Sequence, residues 1–326
     1  MTEGLEFDDV LIIPRPSQVC SRDDVDISVK LSENFTLNFP LIASPMVGVV
    51  DGKFAKLLSD LGGIAILHRF YKNKEAFYSD ITENLNDSDN FGISLKVNDK
   101  SYEDYLLEYF FPKILLVDTA NGYLSSVAKY CEELKNYIVK HSLPILLMAG
   151  NVVTKDGCAN LYNAGCDIVR VGIGGGSPCS TRNKTGIGIP AITALRDCDE
   201  PYGSKDLKIV IDGGIRNSGD FVKAIVAGAD LGMAGKLFAE TFEAPNDGVL
   251  YGMASRTNME KVNMPIKSVE GFDIKIEKQH QLVDFVKEFG YGIKSAGTYL
   301  NARNLRDIYT NGSFVQVTDH AIKKNI

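Results

Sequence analysis

Residues 208–234 read KIVIDGGIRNSGDFVKAIVAGADLGMA, and this stretch contains one complete strand–helix–strand unit. The apolar run Lys208–Asp212 is followed by helical spacing of apolar residues over Gly219–Ala227 and by a second apolar run at Asp230–Ala234. Two nearly continuous apolar runs joined by one amphipathic helix are typical of parallel strands that are covered on both faces. The unit therefore predicts a parallel α/β fold.

Eight such apolar runs occur along the chain, and segments with helical spacing, such as Phe54–Leu61 and Tyr123–His141, separate most of them. The predicted strands are Pro40–Ser44, Ile64–Leu67, Phe91–Leu95, Ile114–Asp118, Ile145–Ala149, Asp167–Val171, Lys208–Asp212 and Asp230–Ala234. Eight alternating units predict a (β/α)8 TIM barrel, and a doubly wound open sheet is the main alternative.

Polar residues and glycines at the strand ends favour the barrel. Seven of them lie at or just beyond the C-terminal end of a predicted strand: Ser44, His68, Asp118, Asn151, Cys179, Asp212 and Gly235. A helix N-cap would account for any single one of these residues, but seven together indicate more than capping. Because TIM barrels carry their active sites on this face, we expect a single catalytic domain over residues 1–326 with its site there.

Composition limits the class of protein. With 326 residues, 44% of them hydrophobic, the chain can bury a large core. A net charge of −7 and the absence of a Lys/Arg block argue against a nucleic-acid surface. The start, MTEGLEFDDVLII, lacks a secretory signal and no apolar stretch could span a membrane, so we expect a cytoplasmic protein. The six cysteines form no CxxC pair or zinc-like cluster, which indicates reduced thiols.

Residues 171–190, VGIGGGSPCSTRNKTGIGIP, place Cys179 on a loop that is rich in glycine. Such loops can direct several backbone N–H groups at an anion, and the same field favours a thiolate. The loop therefore predicts a phosphate-bearing substrate beside a nucleophile. A flexible turn that merely contains a cysteine is the alternative.

Glycines also follow the seventh and eighth predicted strands. Gly213 and Gly214 come directly after Asp212, and Gly235 follows Ala234. TIM barrels frequently bind phosphate at these two positions, and Asp212 could accept hydrogen bonds from ribose hydroxyls. Tight turns that need glycine only for their geometry are the alternative.

Seven motifs, spread in order over nearly the whole chain, resemble those of the IMP dehydrogenase and GMP reductase family of purine-nucleotide barrels. The motifs are LEFDDVLIIPRPS near the start, DTANGY at 118–123, AGNVVT at 149–154, GIGGGSPCSTR at 172–182, DGGIRNSGD at 212–220, YGMAS at 251–255 and VEG at 269–271. The resemblance implies a purine nucleoside monophosphate as substrate and a nicotinamide cofactor. It also implies that relatives, and this chain with them, form homotetramers.

The resemblance assigns roles to individual residues. It implies that Cys179 attacks C2 of the purine, while Thr181 and Glu270, the latter on a mobile flap over about 254–280, handle protons. The implied nucleotide-binding residues are Ser177, Asp212, Gly213, Gly214, Gly235, Lys236, Gly252, Met253, Ala254, Lys267 and Gly271. The implied cofactor-binding residues are Arg69, Asp118, Thr119, Ala120 and Asn151. The backbone carbonyls of Gly174, Gly176 and Cys179 match a site for a monovalent cation such as K⁺.

Three features resemble the GMP reductase branch. No regulatory CBS insert separates Leu67 from Phe91, and no Arg-Tyr pair for activating water lies between Met253 and Glu270. The motif DTANGY also has the reductase form. The resemblance thus implies reductive deamination of GMP to IMP and ammonia with NADPH. The alternatives are an IMP dehydrogenase without the CBS insert, which would make XMP from IMP and NAD, a flavin-dependent barrel and a nucleotide-binding pseudoenzyme.

Several positions depart from the family pattern. Val47–Gly48 stands where the family has an Asp-Thr pair, and Lys267 stands where reductases usually have an arginine. Gly175 and Pro178 replace commoner residues of the cysteine loop, and Ala254 replaces a hydroxyl residue near the base. These departures leave open a reductase that acts on a related purine nucleotide, because lost polar contacts relax selection for a substrate group.

Overall fold

Eight parallel strands close into a barrel, as predicted, which excludes the open sheet. The computed structural model of the chain describes residues 3–86, 89–102, 111–200, 207–253, 255–261, 269 and 271–318. The barrel strands are β1 Leu41–Ala43, β2 Ile64–Leu67, β3 Phe91–Leu95, β4 Ile114–Asp118, β5 Leu146–Val152, β6 Ile168–Val171, β7 Lys208–Asp212 and β8 Leu231–Ala234. Each strand pairs with its neighbour in chain order, and β8 pairs with β1.

Helices follow most of these strands and cover the barrel. The described helices are α1 Gly52–Asp60, α2 Lys74–Asn84, α3 Ser125–Lys140, α4 Lys155–Asn163, α5 Thr181–Thr185, α6 Ala191–Asp199, α7 Ser218–Val226, α8 Lys236–Ala239, α9 Arg256–Lys261, α10 Leu282–Tyr299 and α11 Leu305–Asn311. Short antiparallel pairs join Val10–Ile12 to Phe314–Gln316, Val29–Ser32 to Phe35–Leu37, and Val249–Tyr251 to Asp273–Lys275. None of the described helices is long and apolar enough to cross a membrane.

Side-chain caps set where several helices begin. The helix predicted from Phe54 starts two residues earlier, because Asp51 Oδ1 accepts a hydrogen bond from the Phe54 N–H at 2.7 Å. Asn217 caps α7 in the same way through the Asp220 N–H. The predicted and observed helix bounds therefore differ by no more than two residues at these ends.

Strand β5 is longer than predicted and ends inside the site. The apolar run stops at Ala149, but Gly150 still pairs with Asp118 of β4. The Asn151 N–H then donates to the Thr119 carbonyl oxygen at 2.8 Å. Backbone pairing with β4 thus holds Asn151 at the carboxyl end of the barrel, where its side chain faces the pocket described below.

The segment Leu5–Asp9 near the N-terminus, called the strap below, contacts helices α6 and α7. The carbonyl oxygen of Leu5 accepts a hydrogen bond from the Ile192 N–H of α6 at 3.0 Å. The carbonyl oxygen of Phe7 accepts one from Lys223 Nζ of α7 at 2.8 Å. The strap therefore connects two helices that support the carboxyl face of the barrel.

Candidate active site

A pocket of about 380 Å³ opens at the carboxyl ends of the barrel strands. The described residues to which the resemblance assigns a catalytic, nucleotide-binding, cofactor-binding or cation-binding role line this pocket, whereas the strand-end residue His68 does not. Ala254, Lys267 and Glu270 lie outside the described residues. The fold thus brings together residues from position 69 to position 271, although their individual roles stay predictions.

Cys179 lies on the loop after β6, partly exposed to the pocket. Its Sγ atom is 3.2 Å from Thr181 Oγ1, close enough for a hydrogen bond in either direction. Its N–H donates to the Gly176 carbonyl oxygen at 3.0 Å, so a tight turn presents the thiol. Thr181 can therefore exchange a proton with the cysteine or with a group bound to it.

Residues just before the predicted flap and within its second half contact the cysteine loop. Cys179 forms an antiparallel bridge with Gly271, and the Phe272 N–H donates to the Pro178 carbonyl oxygen at 3.0 Å. The Gly252 N–H in turn donates to the Phe272 carbonyl oxygen at 3.2 Å. Gly252, Gly271 and Phe272 are therefore held next to the loop that carries the thiol.

The cysteine loop and the loop after β7 touch through their backbones. Gly213 has φ +86°, and a Cβ atom there would lie 2.7 Å from the Gly176 backbone nitrogen. A side chain would therefore clash with the other loop as well as strain its own backbone. This close approach is a packing reason for glycine at position 213, and backbone from both loops lines the pocket there.

Charged groups form the floor of the pocket. Arg69 and Arg170 both bind the carboxylate of Asp118, Arg170 Nη2 at 2.6 Å from Asp118 Oδ1. Arg170 Nε also lies 3.6 Å from Asp212 Oδ2, which accepts a hydrogen bond from Asn151 Nδ2 at 2.8 Å. Arg170 thus bridges the ends of β4 and β7 from within the barrel, and sequence reasoning missed it.

Electrostatics keep these groups charged. Burial would raise the pKa of Asp118, but Arg170 and then Arg69 outweigh this and hold the pKa below its ordinary value. Burial would likewise lower the pKa of Arg170, but Asp118 and Asp212 outweigh it and raise the pKa. Asp118 is therefore an ionised anchor and not a proton donor at neutral pH.

One buried acceptor in the pocket lacks a protein partner. Asn151 is 7% exposed, and its Nδ2 donates to the Gly172 carbonyl oxygen at 2.5 Å and to Asp212. Its Oδ1 atom has no hydrogen-bond partner among the described residues. Because an unpaired buried acceptor is costly, this atom fits a site that receives an N–H or O–H group from a ligand.

His68 is the first residue after β2 and directly precedes Arg69. We expect its imidazole to stay neutral in the folded protein. Burial lowers the pKa of His68 to about 4, with Arg69 adding to the shift and Asp80 opposing it. An unfolded histidine titrates at about pH 6.5, so the neutral form of His68 contributes its full stabilisation above that pH, and the contribution is lost as pH falls towards 4.

The free energy of unfolding, measured in urea, should fall between pH 7 and pH 4 by about 3 kcal/mol less in His68→Gln than in the parent, because the variant lacks this titrating group. An NMR titration showing that His68 gains a proton above pH 6 would contradict this account.

Comparison with known proteins agrees with this geometry. Residues 4–325 match the family model described as the IMP dehydrogenase / GMP reductase domain. An inosine-5'-monophosphate dehydrogenase of Borreliella burgdorferi is 30% identical, with 99% of this chain and 96% of that protein covered. GMP reductases of Onchocerca volvulus and Lactococcus lactis subsp. cremoris SK11 are each 31% identical, covering 96% and 98% of this chain and 91% and 95% of those proteins. The chain therefore belongs to the IMP dehydrogenase / GMP reductase family.

Proposed function

We propose that the protein is a GMP reductase, which converts GMP to IMP and ammonia with NADPH. The observation that carries the proposal is the partly exposed thiol of Cys179, which lies in the pocket 3.2 Å from a hydroxyl of Thr181. The thiol lies on one of two glycine loops whose backbones approach each other closely at Gly176 and Gly213. This arrangement suits a nucleophile that attacks a nucleotide whose phosphate is held by backbone N–H groups.

The sequence of the flap supports the reductase branch. Residues 254–270 read ASRTNMEKVNMPIKSVE, which contains one arginine, Arg256, and no tyrosine. The water-activating Arg-Tyr pair of the dehydrogenases therefore has no counterpart there. Relatives named GMP reductase and a relative named inosine-5'-monophosphate dehydrogenase both match, so an IMP dehydrogenase without the CBS insert is the second candidate.

The proposed reaction proceeds in two balanced steps. Cys179 Sγ forms a bond to C2 of GMP, the C2–N bond to the amino group breaks, and ammonia leaves after protonation through Thr181 and Glu270. Hydride then adds to C2, the C–S bond breaks, and the thiolate and IMP are released. This hydride would come from NADPH, which balances the reduction of C2. Asp212 and the glycines that follow it would hold the ribose and phosphate of the nucleotide.

The described residues fit a nicotinamide cofactor beside Cys179. When bound, the cofactor supplies the hydride. Arg69, Asp118, Thr119, Ala120 and Asn151 would hold it, because all five line the pocket. The unpaired Oδ1 atom of Asn151 provides an acceptor for a carboxamide N–H or a ribose hydroxyl. The Arg69–Asp118–Arg170 cluster would present a fixed arrangement of charges to the bound cofactor.

The remaining features are proposed on the family's pattern. We place a single catalytic domain over residues 1–326 and a mobile flap over about 254–280, with Glu270 on it. The carbonyl groups of Gly174, Gly176 and Cys179 would bind K⁺, and the Gly176 oxygen already accepts the Cys179 N–H. A carbonyl oxygen has a second lone pair, so this bond leaves room for a cation. A homotetramer is the proposed assembly, and cytoplasmic location stays a prediction.

A reductase that acts on a related purine nucleotide is a third candidate. Five apolar side chains line the pocket, those of Met46, Met233, Leu250, Met253 and Met259. Val47 supplies no carboxylate beside Met46. Flexible methionine side chains adapt to ligands of different outline, which favours some tolerance in the base.

An assay with purified protein tests the proposal. With GMP and NADPH, we expect the nicotinamide absorbance to fall while IMP and ammonia form in equal amounts, and NADH to support a lower rate. Parallel reactions use IMP with NAD, other purine nucleotides with NADPH, and potassium replaced by tetramethylammonium. Formation of XMP from IMP, with no IMP formed from GMP, would overturn the reductase assignment.

A further inference from the structure

Arg182 follows Cys179 by three positions, but its side chain turns back and joins the two ends of the cysteine loop. Its Nε atom donates to the Ile173 carbonyl oxygen at 3.0 Å, and its Nη2 atom donates to the Ile189 carbonyl oxygen at 2.9 Å. Ile173 begins the loop and Ile189 ends it. One guanidinium therefore closes the loop that carries the nucleophile.

The stem of Arg182 fills the space between the same two ends. A Cβ atom on Gly188 would lie 2.8 Å from Arg182 Cγ, and a Cβ atom on Gly174 would also overlap that carbon. Gly174 has φ +75°, a conformation that other residues rarely adopt. Gly174 and Gly188 thus leave the space that the aliphatic part of the Arg182 side chain occupies.

Glu6 of the N-terminal strap holds the guanidinium from outside. Its Oε1 atom accepts a hydrogen bond from Arg182 Nη1 at 2.5 Å, and its Oε2 atom accepts one from the Ala191 N–H at 3.0 Å. Ala191 is the first residue of helix α6. The carboxylate therefore links the cysteine loop to a rigid element that the loop itself does not contain.

Geometry, and not net charge, is the basis of this arrangement. The side chains of Arg182 and Glu6 are 34% and 37% exposed, so their charge attraction alone is weak. The planar fork of arginine, however, donates to three acceptors at once in fixed directions. A lysine has the charge but cannot reach both carbonyl oxygens and the carboxylate together.

We propose that Arg182, held by Glu6, is the positioning residue that fixes the Cys179 thiol for attack. It touches neither the substrate nor the reacting atoms and acts through the loop backbone. The inference rests on the proposed role of Cys179 as the nucleophile. It goes beyond that role by assigning the order of the loop to a contact between residues 176 positions apart in the sequence.

Alkylation of Cys179 by iodoacetamide tests the proposal, because this reaction needs neither nucleotide nor cofactor. The thiolate displaces iodide and forms a thioether, which mass spectrometry assigns to a peptide. A Cys20→Ser background removes the one fully exposed thiol, since the four cysteines other than Cys20 and Cys179 are buried. We expect Arg182→Lys to slow alkylation of Cys179 by about tenfold and to lower kcat by about tenfold to a hundredfold, with KM for GMP changed by less than about threefold.

Two further variants separate positioning from folding. Glu6→Gln should also slow alkylation of Cys179, but by less than Arg182→Lys does, because the amide oxygen of glutamine still accepts a hydrogen bond. Arg196→Lys is the matched control and should change nothing, since Arg196 packs on Phe314, away from the loop.

Alkylation of Arg182→Lys at the parent rate would overturn the proposal. So would a lowered melting temperature in Arg182→Lys together with an unchanged alkylation rate in Glu6→Gln. A parent protein that alkylates rapidly at Cys179 but does not reduce GMP would instead contradict only the proposed function.

Discussion

Replacing Cys179 with alanine is expected to lower kcat for GMP reduction by about four orders of magnitude or more. The residue would supply the bond to C2 in the proposed first step, and no described residue of the pocket offers a second thiol. The dissociation constant for GMP should change by less than about threefold, because the phosphate and ribose contacts come from other loops.

Steady-state rates and isothermal titration calorimetry measure the two quantities on the same preparation. Cys20→Ser is the matched control, since Cys20 is exposed outside the site, and it should keep the parent rate. Turnover by Cys179→Ala within tenfold of the parent would remove the covalent mechanism.

Replacing Arg170 with methionine is expected to lower the free energy of unfolding by about 3–5 kcal/mol at neutral pH, the usual result of removing one partner from a buried ion pair. Arg170 is 6% exposed and lies between Asp118 and Asp212. Without it, and counting only the described residues, Asp118 keeps Arg69 as its ionic partner and Asp212 keeps the amide of Asn151. The change should also lower kcat, because both carboxylates line the pocket.

The loss of unfolding free energy caused by Arg170→Met should be smaller in acid than at neutral pH. Burial would raise the pKa of Asp118, but Arg170 and Arg69 depress it, so its ion pairs stabilise the fold above about pH 3.9 and are lost as pH falls through the depressed pKa. Urea unfolding of both proteins at neutral pH and near pH 3 measures this difference. Arg22→Met, at an exposed arginine, is the control and should lower the free energy of unfolding by less than about 0.5 kcal/mol.

A double variant provides a further test of the ion pairs of Arg170. Adding Asp212→Asn to Arg170→Met removes the carboxylate that loses its arginine partner and should recover part of the lost stability. An Arg170→Met protein as stable as the parent at neutral pH would show that the ion pairs on the pocket floor contribute nothing to the fold.

The sequence was sufficient to predict the barrel because each strand is a short apolar run that ends in a polar residue or glycine. The end of β5 was wrong by three residues, since Gly150 and Asn151 are not apolar and only their pairing with β4 extends the strand. Arg170 was missed because the site was sought in loops and at strand ends. The available signal was a charged residue within the apolar run Ile168–Val171, which requires a buried partner.

Other parts of the site depend on contacts that no local pattern encodes. The Glu6–Arg182 pair joins the strap to the cysteine loop across most of the chain, and its two partners are ordinary charged residues in the sequence. The approach of Gly213 to Gly176 likewise results from barrel closure, although the glycines themselves were visible. Sequence motifs thus indicated the candidate site residues, while the structure supplied the contacts that hold the described ones.

Intact-protein mass spectrometry of enzyme quenched in acid during turnover of GMP with NADPH tests the central claim most directly. The account predicts an added mass equal to GMP minus ammonia, located on the peptide that contains Cys179 and absent from Cys179→Ala. An enzyme that forms IMP while every quenched sample has the mass of the unmodified chain, or carries the adduct on another residue, would contradict it.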